Sequence, residues 1–215
     1  MKEFEIDYAA VLKKALSNGG EYADIYIERS VPFSLVCEDS RIEKVVSGID
    51  CGAGVRLVVG QRTAYAYTNE LTTSSLLEIA DAVRQAAQGG SFDSGISLRR
   101  KNPRVDFSIL KAPEQVETSR KVAMVLQADR VARSCDQRIR QALVTYREQR
   151  QKVLIANSEG FVAEDDRLYL TALVHVVAAD GDVVQTGYEP VGGNTGMEIF
   201  DRSPLEGAAE LAAKR

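Results

Sequence analysis

GIDCGAGVRLVVGQRT, residues 48–63, separates two architectures. Gly48, Gly52 and Gly54 crowd together ahead of an apolar run, and glycines spaced like this serve either a phosphate or a turn. A dinucleotide-binding turn needs Gly-x-Gly-x-x-Gly between a strand and a helix, so that amides at the helix N-terminus meet the pyrophosphate. Here Leu57 stands where the third glycine belongs. Val55, Leu57 and Val59 then alternate against Arg56 and Val58, the period-two rhythm of a half-buried strand. No helix dipole faces the glycines. They are therefore expected to form a bulge or a close approach between strands, and the sheet is expected to be antiparallel rather than of the nucleotide-binding kind.

On the N-terminal side, DYAAVLKKALSNGG (residues 7–20) predicts a helix capped by Asp7, with Tyr8, Leu12, Ala15 and Leu16 on one face and Gly19 as the stop. ADIYIERS (23–30) alternates as a strand. FSLVCEDS (33–40) and IEKVVSGI (42–49) predict a hairpin turning near Asp39, Ser40 and Arg41. GVRLVVG and RTAYAYTN predict a second hairpin turning at Gly60 and Gln61. TTSSLLEIADAVRQAA (72–87) returns to helix behind a Thr or Ser cap, with Leu76, Ile79, Ala80, Val83 and Ala87 on its apolar stripe.

Periodicity fails from Gly89 to about Pro113, which places a linker at residues 91–113 between a first region, 1–90, and a second, 114–215. The second region opens with a helix from Glu114 to Arg133. A meander of five runs comes next: IRQALVTYRE, KVLIANS, FVAED, LYLTALVHVVAA and DVVQTGYE, with turns at Asn157–Gly160 and Asp180–Gly181. Ser203 is expected to cap a last helix, with Pro204 at its first position and Glu206 completing a capping box. Helices and strands are segregated, so the fold class is α+β: two subdomains, each with antiparallel strands flanked by helices. The apolar pattern of the last helix is still running at Arg215, which suggests a piece of a longer protein.

Composition narrows the function. Of 215 residues, 45% are hydrophobic and 27% charged, with a net charge of −4. That acidic balance argues against nucleic acid as a direct partner, because such binding relies on a basic surface. The basic run RRKNPR (99–104) reads as a solvated linker. Cys37, Cys51 and Cys135 are an odd number at unrelated spacings, which suits free thiols in a reducing compartment. No apolar run approaches the roughly 20 residues of a membrane span, and MKEFEIDYAA lacks the core of a signal peptide. The expected location is the cytoplasm.

Metal chemistry fails on ligand counting. His175 is the one histidine, in the strand-like LVHVV, whereas a zinc-protease helix needs two with a glutamate between them. No catalytic and no metal-binding residue is assigned. Glu164, Asp165 and Asp166 read as a solvated turn. GYEPVGGNTG (187–196) reads as an irregular loop that exposes many backbone groups. Tyr188, Glu189, Gly192, Gly193 and Asn194 are its candidate contacts to an extended peptide or a partner subunit, with a plain connector as the alternative.

Four segments in order, YADIYIERS, IEKVVSGIDCGAGVRLVVGQRTAYAYTNEL, VLIANSEGFVAEDDR and QTGYEPVGGNTGMEIF, resemble the TldD/PmbA family, known as modulators of DNA gyrase and as peptidases or their partners. LVCEDSRIEKVVSGIDCGAGVRLV is more similar to the TldD branch than to the PmbA branch. The resemblance implies the N-terminal portion of a cytoplasmic zinc metallopeptidase that cleaves unfolded peptides and works as a homodimer or heterodimer. It further implies zinc held by a His-Glu-x-x-x-His helix in the C-terminal half. That motif does not occur in these 215 residues, so no cofactor is expected within them. Two alternatives stay open: a stand-alone peptide- or protein-binding module, and part of a PmbA-like inactive partner.

Overall fold

The computed structural model describes residues 5–87, 96–101 and 109–215. In chain order the elements are α1 (Tyr8–Leu16), β1 (Tyr22–Glu38), β2 (Arg41–Ser47), β3 (Asp50–Val59), β4 (Arg62–Thr68), α2 (Thr73–Arg84) and β5 (Arg99–Arg100). After a 3-10 turn at Pro113–Gln115 come α3 (Thr118–Cys135), β6 (Ile139–Asn157), β7 (Phe161–Asp180), β8 (Val183–Gly193), α4 (Ile199–Arg202) and α5 (Leu205–Lys214). The strands form one eight-stranded sheet in the order β4-β3-β1-β6-β7-β5, with β2 also on β1 and β8 also on β7. Pairing is antiparallel in both hairpins and between β7 and β8, while the two-residue β5 runs parallel to β7. The class is α+β, as expected.

The strands are longer than their hydrophobic patterns. ADIYIERS and FSLVCEDS are one 17-residue strand, β1. It continues through Pro32 because the missing N–H falls in a gap of the ladder. The pairing with β3 ends at Ser30–Asp50, and that with β2 begins at Phe33–Ser47. Likewise the five expected runs of the meander are three strands. The polar centre of β6 (Arg147–Lys152) and the acidic centre of β7 (Glu164–Asp166) interrupt the period-two signal without interrupting the backbone ladder. Glu164, Asp165 and Asp166 are thus strand residues rather than a turn. In the expected linker, Arg99 and Arg100 form β5, and Arg100 pairs with Glu164 at 2.9 Å. The other expectations for 88–95 and 102–108 lie outside the described residues.

By compactness the chain divides into two units whose segments interleave. The first comprises 1–30, 49–105 and 151–166, the second 31–48, 106–150 and 167–215. In the first, α1 and α2 cover one face of the sheet. Leu12, Leu16, Ile25, Ile27, Val55, Leu57 and Leu76 are fully buried there. Each such side chain contributes about 1.5–3 kcal/mol by leaving water. Both helices start on the expected side-chain caps, Asp7 accepting from Ala10 N at 3.0 Å and Thr72 from Ser75 N at 3.1 Å.

In the second unit α3 and α5 cover Leu35, Cys37, Val144, Tyr146, Leu170 and Val174. A buried ion pair joins Lys121 of α3 to Glu148 of β6 at 2.7 Å, and the Lys121 ammonium also stands 4.7 Å from the centre of the Phe33 ring. Both elements therefore share one satisfied charge pair instead of leaving either group stranded. The start of α5 departs from expectation. Pro204 is its N-cap, with no side-chain hydrogen bond, and Ser203 instead closes α4, its N–H donating to Ile199 O at 2.8 Å. The capping box with Glu206 does not form, because Ser203 is already committed to the preceding turn.

Candidate functional site

The expected partner loop is a strand. Gly187 through Gly193 belong to β8 and pair residue by residue with β7, from Val176 opposite Gly187 to Leu170 opposite Gly193. Backbone hydrogen bonding overrides a sequence rich in glycine and interrupted by Pro190. Proline is tolerated because, among the described residues, β8 pairs only with β7 and so has an edge that needs no donor.

Three of the five candidate residues are occupied within the unit. Asn194 Nδ2 donates to Leu168 O at 3.4 Å, tying the end of β8 back to β7. Gly192 lies so close to β7 that a Cβ would stand 2.6 Å from Leu170 O. Glu189 faces Arg215, whose Nη2 is 2.7 Å from its Oε2, while Arg215 Nη1 donates to Tyr188 O at 3.3 Å. That Oε2 is buried and receives no hydrogen bond, so the contact is Coulombic rather than directional. Gly193 is exposed. Tyr188 is 57% exposed, and Val183 and Val184 at the start of the same strand are 60% and 59% exposed. Residues 188–193 therefore share one edge strand, and Asn194 follows its last residue.

His175 is half-buried on β7, opposite Tyr188. Among the described residues no three His, Cys, Asp or Glu side chains come together to hold a metal ion. The donor set among these residues does not fit a zinc centre. Among the same residues no helix is long and apolar enough to cross a membrane.

Gly54 marks a close approach between strands, not a phosphate cradle. A Cβ there would meet the Tyr65 hydroxyl at 2.3 Å, because the Tyr65 ring leans over it from β4. Around it lies a feature that the sequence reading misses: Tyr26, Tyr65 and Tyr67 on the face of the first unit away from the α1–α2 core, 39%, 62% and 77% exposed. The available signal is RTAYAYTN itself. Its alanines take the inward positions, which leaves both tyrosines outward.

Comparison with known proteins agrees with this fold. The PmbA/TldA metallopeptidase domain 1 matches residues 23–88, and the PmbA/TldA metallopeptidase central domain matches residues 111–215. Together they take in most of the chain, which belongs to the PmbA/TldD metallopeptidase family. It is 29% identical over 182 residues to a metalloprotease TldD homolog of Haemophilus influenzae, covering 84% of this chain and 38% of that protein. It is 27% identical to a metalloprotease of Methanothermobacter thermautotrophicus, covering 95% and 44%. The chain thus spans about two fifths of the length of the curated relatives it matches. The fold is shared with a modulator of DNA gyrase from Bacteroides thetaiotaomicron (TM-score 0.74, 16% identity, 94% of this chain and 47% of that one). It is also shared with TldE from Thermococcus kodakarensis (TM-score 0.66, 15% identity, 91% and 44%).

Proposed function

We propose that this chain is the non-catalytic N-terminal portion of a TldD-type metallopeptidase that cleaves unfolded peptides in the cytoplasm. Its work is to dock a second TldD/PmbA-type subunit, identical or different, and to form part of the wall of a peptide channel. The observation that carries the reading is the pair of family domains matched in order, with relatives named metalloproteases aligned over most of these residues. Zinc and the general base belong, on this reading, to polypeptide outside these 215 residues. The chain's own contribution is positional. Among the described residues β8 offers an unpaired strand edge and the outward Tyr188, the combination by which sheets recruit a further strand.

Sedimentation of the chain alone and mixed with a TldE-type subunit tests the docking role. Association is expected, weakened roughly five- to thirtyfold by Tyr188→Ala, since an exposed aromatic anchor at an interface contributes on the order of 1–2 kcal/mol. If Tyr188→Ala and Glu189→Ala leave both assembly and peptide cleavage by the assembled enzyme intact, β8 has no docking role. The same edge favours a second reading, a stand-alone module that captures extended peptides. Under it, the chain binds peptide but does not associate with a second subunit.

A further inference from the structure

The open face of the first unit carries a second feature, independent of β8. On it the rows across β1, β3 and β4 run Asp24–Arg56–Tyr65 and then Tyr26–Gly54–Tyr67. In the first row a cation fills the middle position. The Arg56 guanidinium makes a forked ion pair with Asp24, its Nε 3.0 Å from Oδ2, and its centre lies 5.9 Å from the middle of the Tyr22 ring. In the next row the middle position is Gly54, and beyond it Gly52 stands opposite Glu28. The side chains around these glycines are again tyrosines and carboxylates, while the strand between them supplies none.

A cavity of about 280 Å³ opens there, lined by Tyr26, Glu28, Asp50, Tyr65 and Tyr67 around the glycine floor. Its shape is held from within. Tyr26 donates to Glu28 Oε2 at 2.6 Å, and Tyr65 and Tyr67 stack with ring centres 6.3 Å apart and planes 25° from parallel. Two carboxylates line it, and among the described residues no Lys, Arg or His does. The Tyr65 and Tyr67 faces and the two carboxylates are complementary to an ammonium or guanidinium group. Phosphate and other anions are disfavoured by the same charges.

The geometry points to a subsite for a lysine or arginine side chain of an extended peptide, held between Tyr67, Tyr65 and the Glu28 carboxylate as Arg56 is held by Tyr22 and Asp24 one row away. That the cation arrives on a peptide rests on the function proposed above; the preference for a cation rests on this cavity. The site would give the protein a selectivity for basic segments.

The test is calorimetric titration of the 215-residue chain with a short unstructured Gly/Ser peptide carrying one central lysine, against the same peptide carrying norleucine. The lysine peptide is expected to bind roughly tenfold more tightly, the scale of a cation–π contact reinforced by a carboxylate. Tyr67→Leu and Glu28→Gln, both on the open face, should each reduce that ratio toward one while thermal melts stay like those of the parent chain. Gly54→Ala, which displaces the Tyr65 ring, should do the same. Equal binding of the two peptides by the parent chain overturns the inference. So does a ratio unchanged in Tyr67→Leu and Glu28→Gln. Either result leaves subunit assembly and cleavage, which are measured separately, untouched.

Discussion

The Ser40 hydroxyl donates a 2.7 Å hydrogen bond to Oδ2 of Asp129, a carboxylate with no exposed surface. Ser40 and its neighbour Asp39 both hold positive φ, 63° and 49°, without being glycine. Such backbone costs on the order of 1 kcal/mol per residue and persists only where surrounding contacts fix it. Here α3 supplies them: Asp129 takes Ser40, and Arg133 bonds to Asp39 while its Nε stands 3.4 Å from Asp129.

Asp129→Ala is therefore expected to cost about 3 kcal/mol in urea unfolding, and Ser40→Ala about 1–2. The two should couple: in the Asp129→Ala background the cost of Ser40→Ala should fall near zero. Simple additivity would show that the turn is not held by this contact.

Two glycines near the C-terminus should respond in opposite directions. At Gly187 a Cβ would stand 2.0 Å from the Ala212 carbonyl oxygen, where β8 passes under α5. Backbone cannot give way as a side-chain tip can, so Gly187→Ala should destabilise by about 2–3 kcal/mol. At Gly207, within α5, nothing beyond its chain neighbours and the helix's own backbone lies within 4 Å of the added carbon. Gly207→Ala should stabilise by about 0.5 kcal/mol through helix propensity. Thermal melts of the two variants check both signs.

Glu198 should confer acid sensitivity on the second unit. Burial works to raise its pKa, but the N–H groups around it outweigh burial and hold it at about 2. Lys111 N donates at 2.8 Å, Gly196 N at 3.1 Å and Leu110 N at 3.2 Å, and the Thr195 hydroxyl adds a fourth bond at 3.1 Å. Because the folded value lies below the ordinary 4.5, the stabilisation is complete above about pH 5 and is lost as pH falls toward 2. Glu198→Gln is expected to cost about 2 kcal/mol at pH 7 and far less near pH 2.5. A cost independent of pH would show that the carboxylate charge is not what these donors hold.

Much of the fold is legible in local pattern. Asp7 and Thr72 cap where predicted, and the turns at Asp39–Ser40, Gly60, Gly160 and Gly181 all carry the positive φ that ends a strand. The misses share a cause. Period-two reading detects a strand by its buried side chains, so it stops where both faces turn polar, as at Glu164–Asp166, or where glycine and proline accumulate, as at Gly187–Gly193. Backbone ladders do not stop there. Ser203 misleads because a cap signal cannot tell whether its own N–H already serves another helix. The tyrosine cavity depends on which exposed positions of three strands fall side by side, and register between distant strands is not written in any one of them.

If these 215 residues position and dock while the hydrolytic centre is supplied by other polypeptide, the chain by itself should be inert. A zinc titration combined with a cleavage assay on an unfolded peptide decides the matter. Neither stoichiometric tight zinc binding nor turnover is expected. Either one, from this chain alone, would overturn the division of labour.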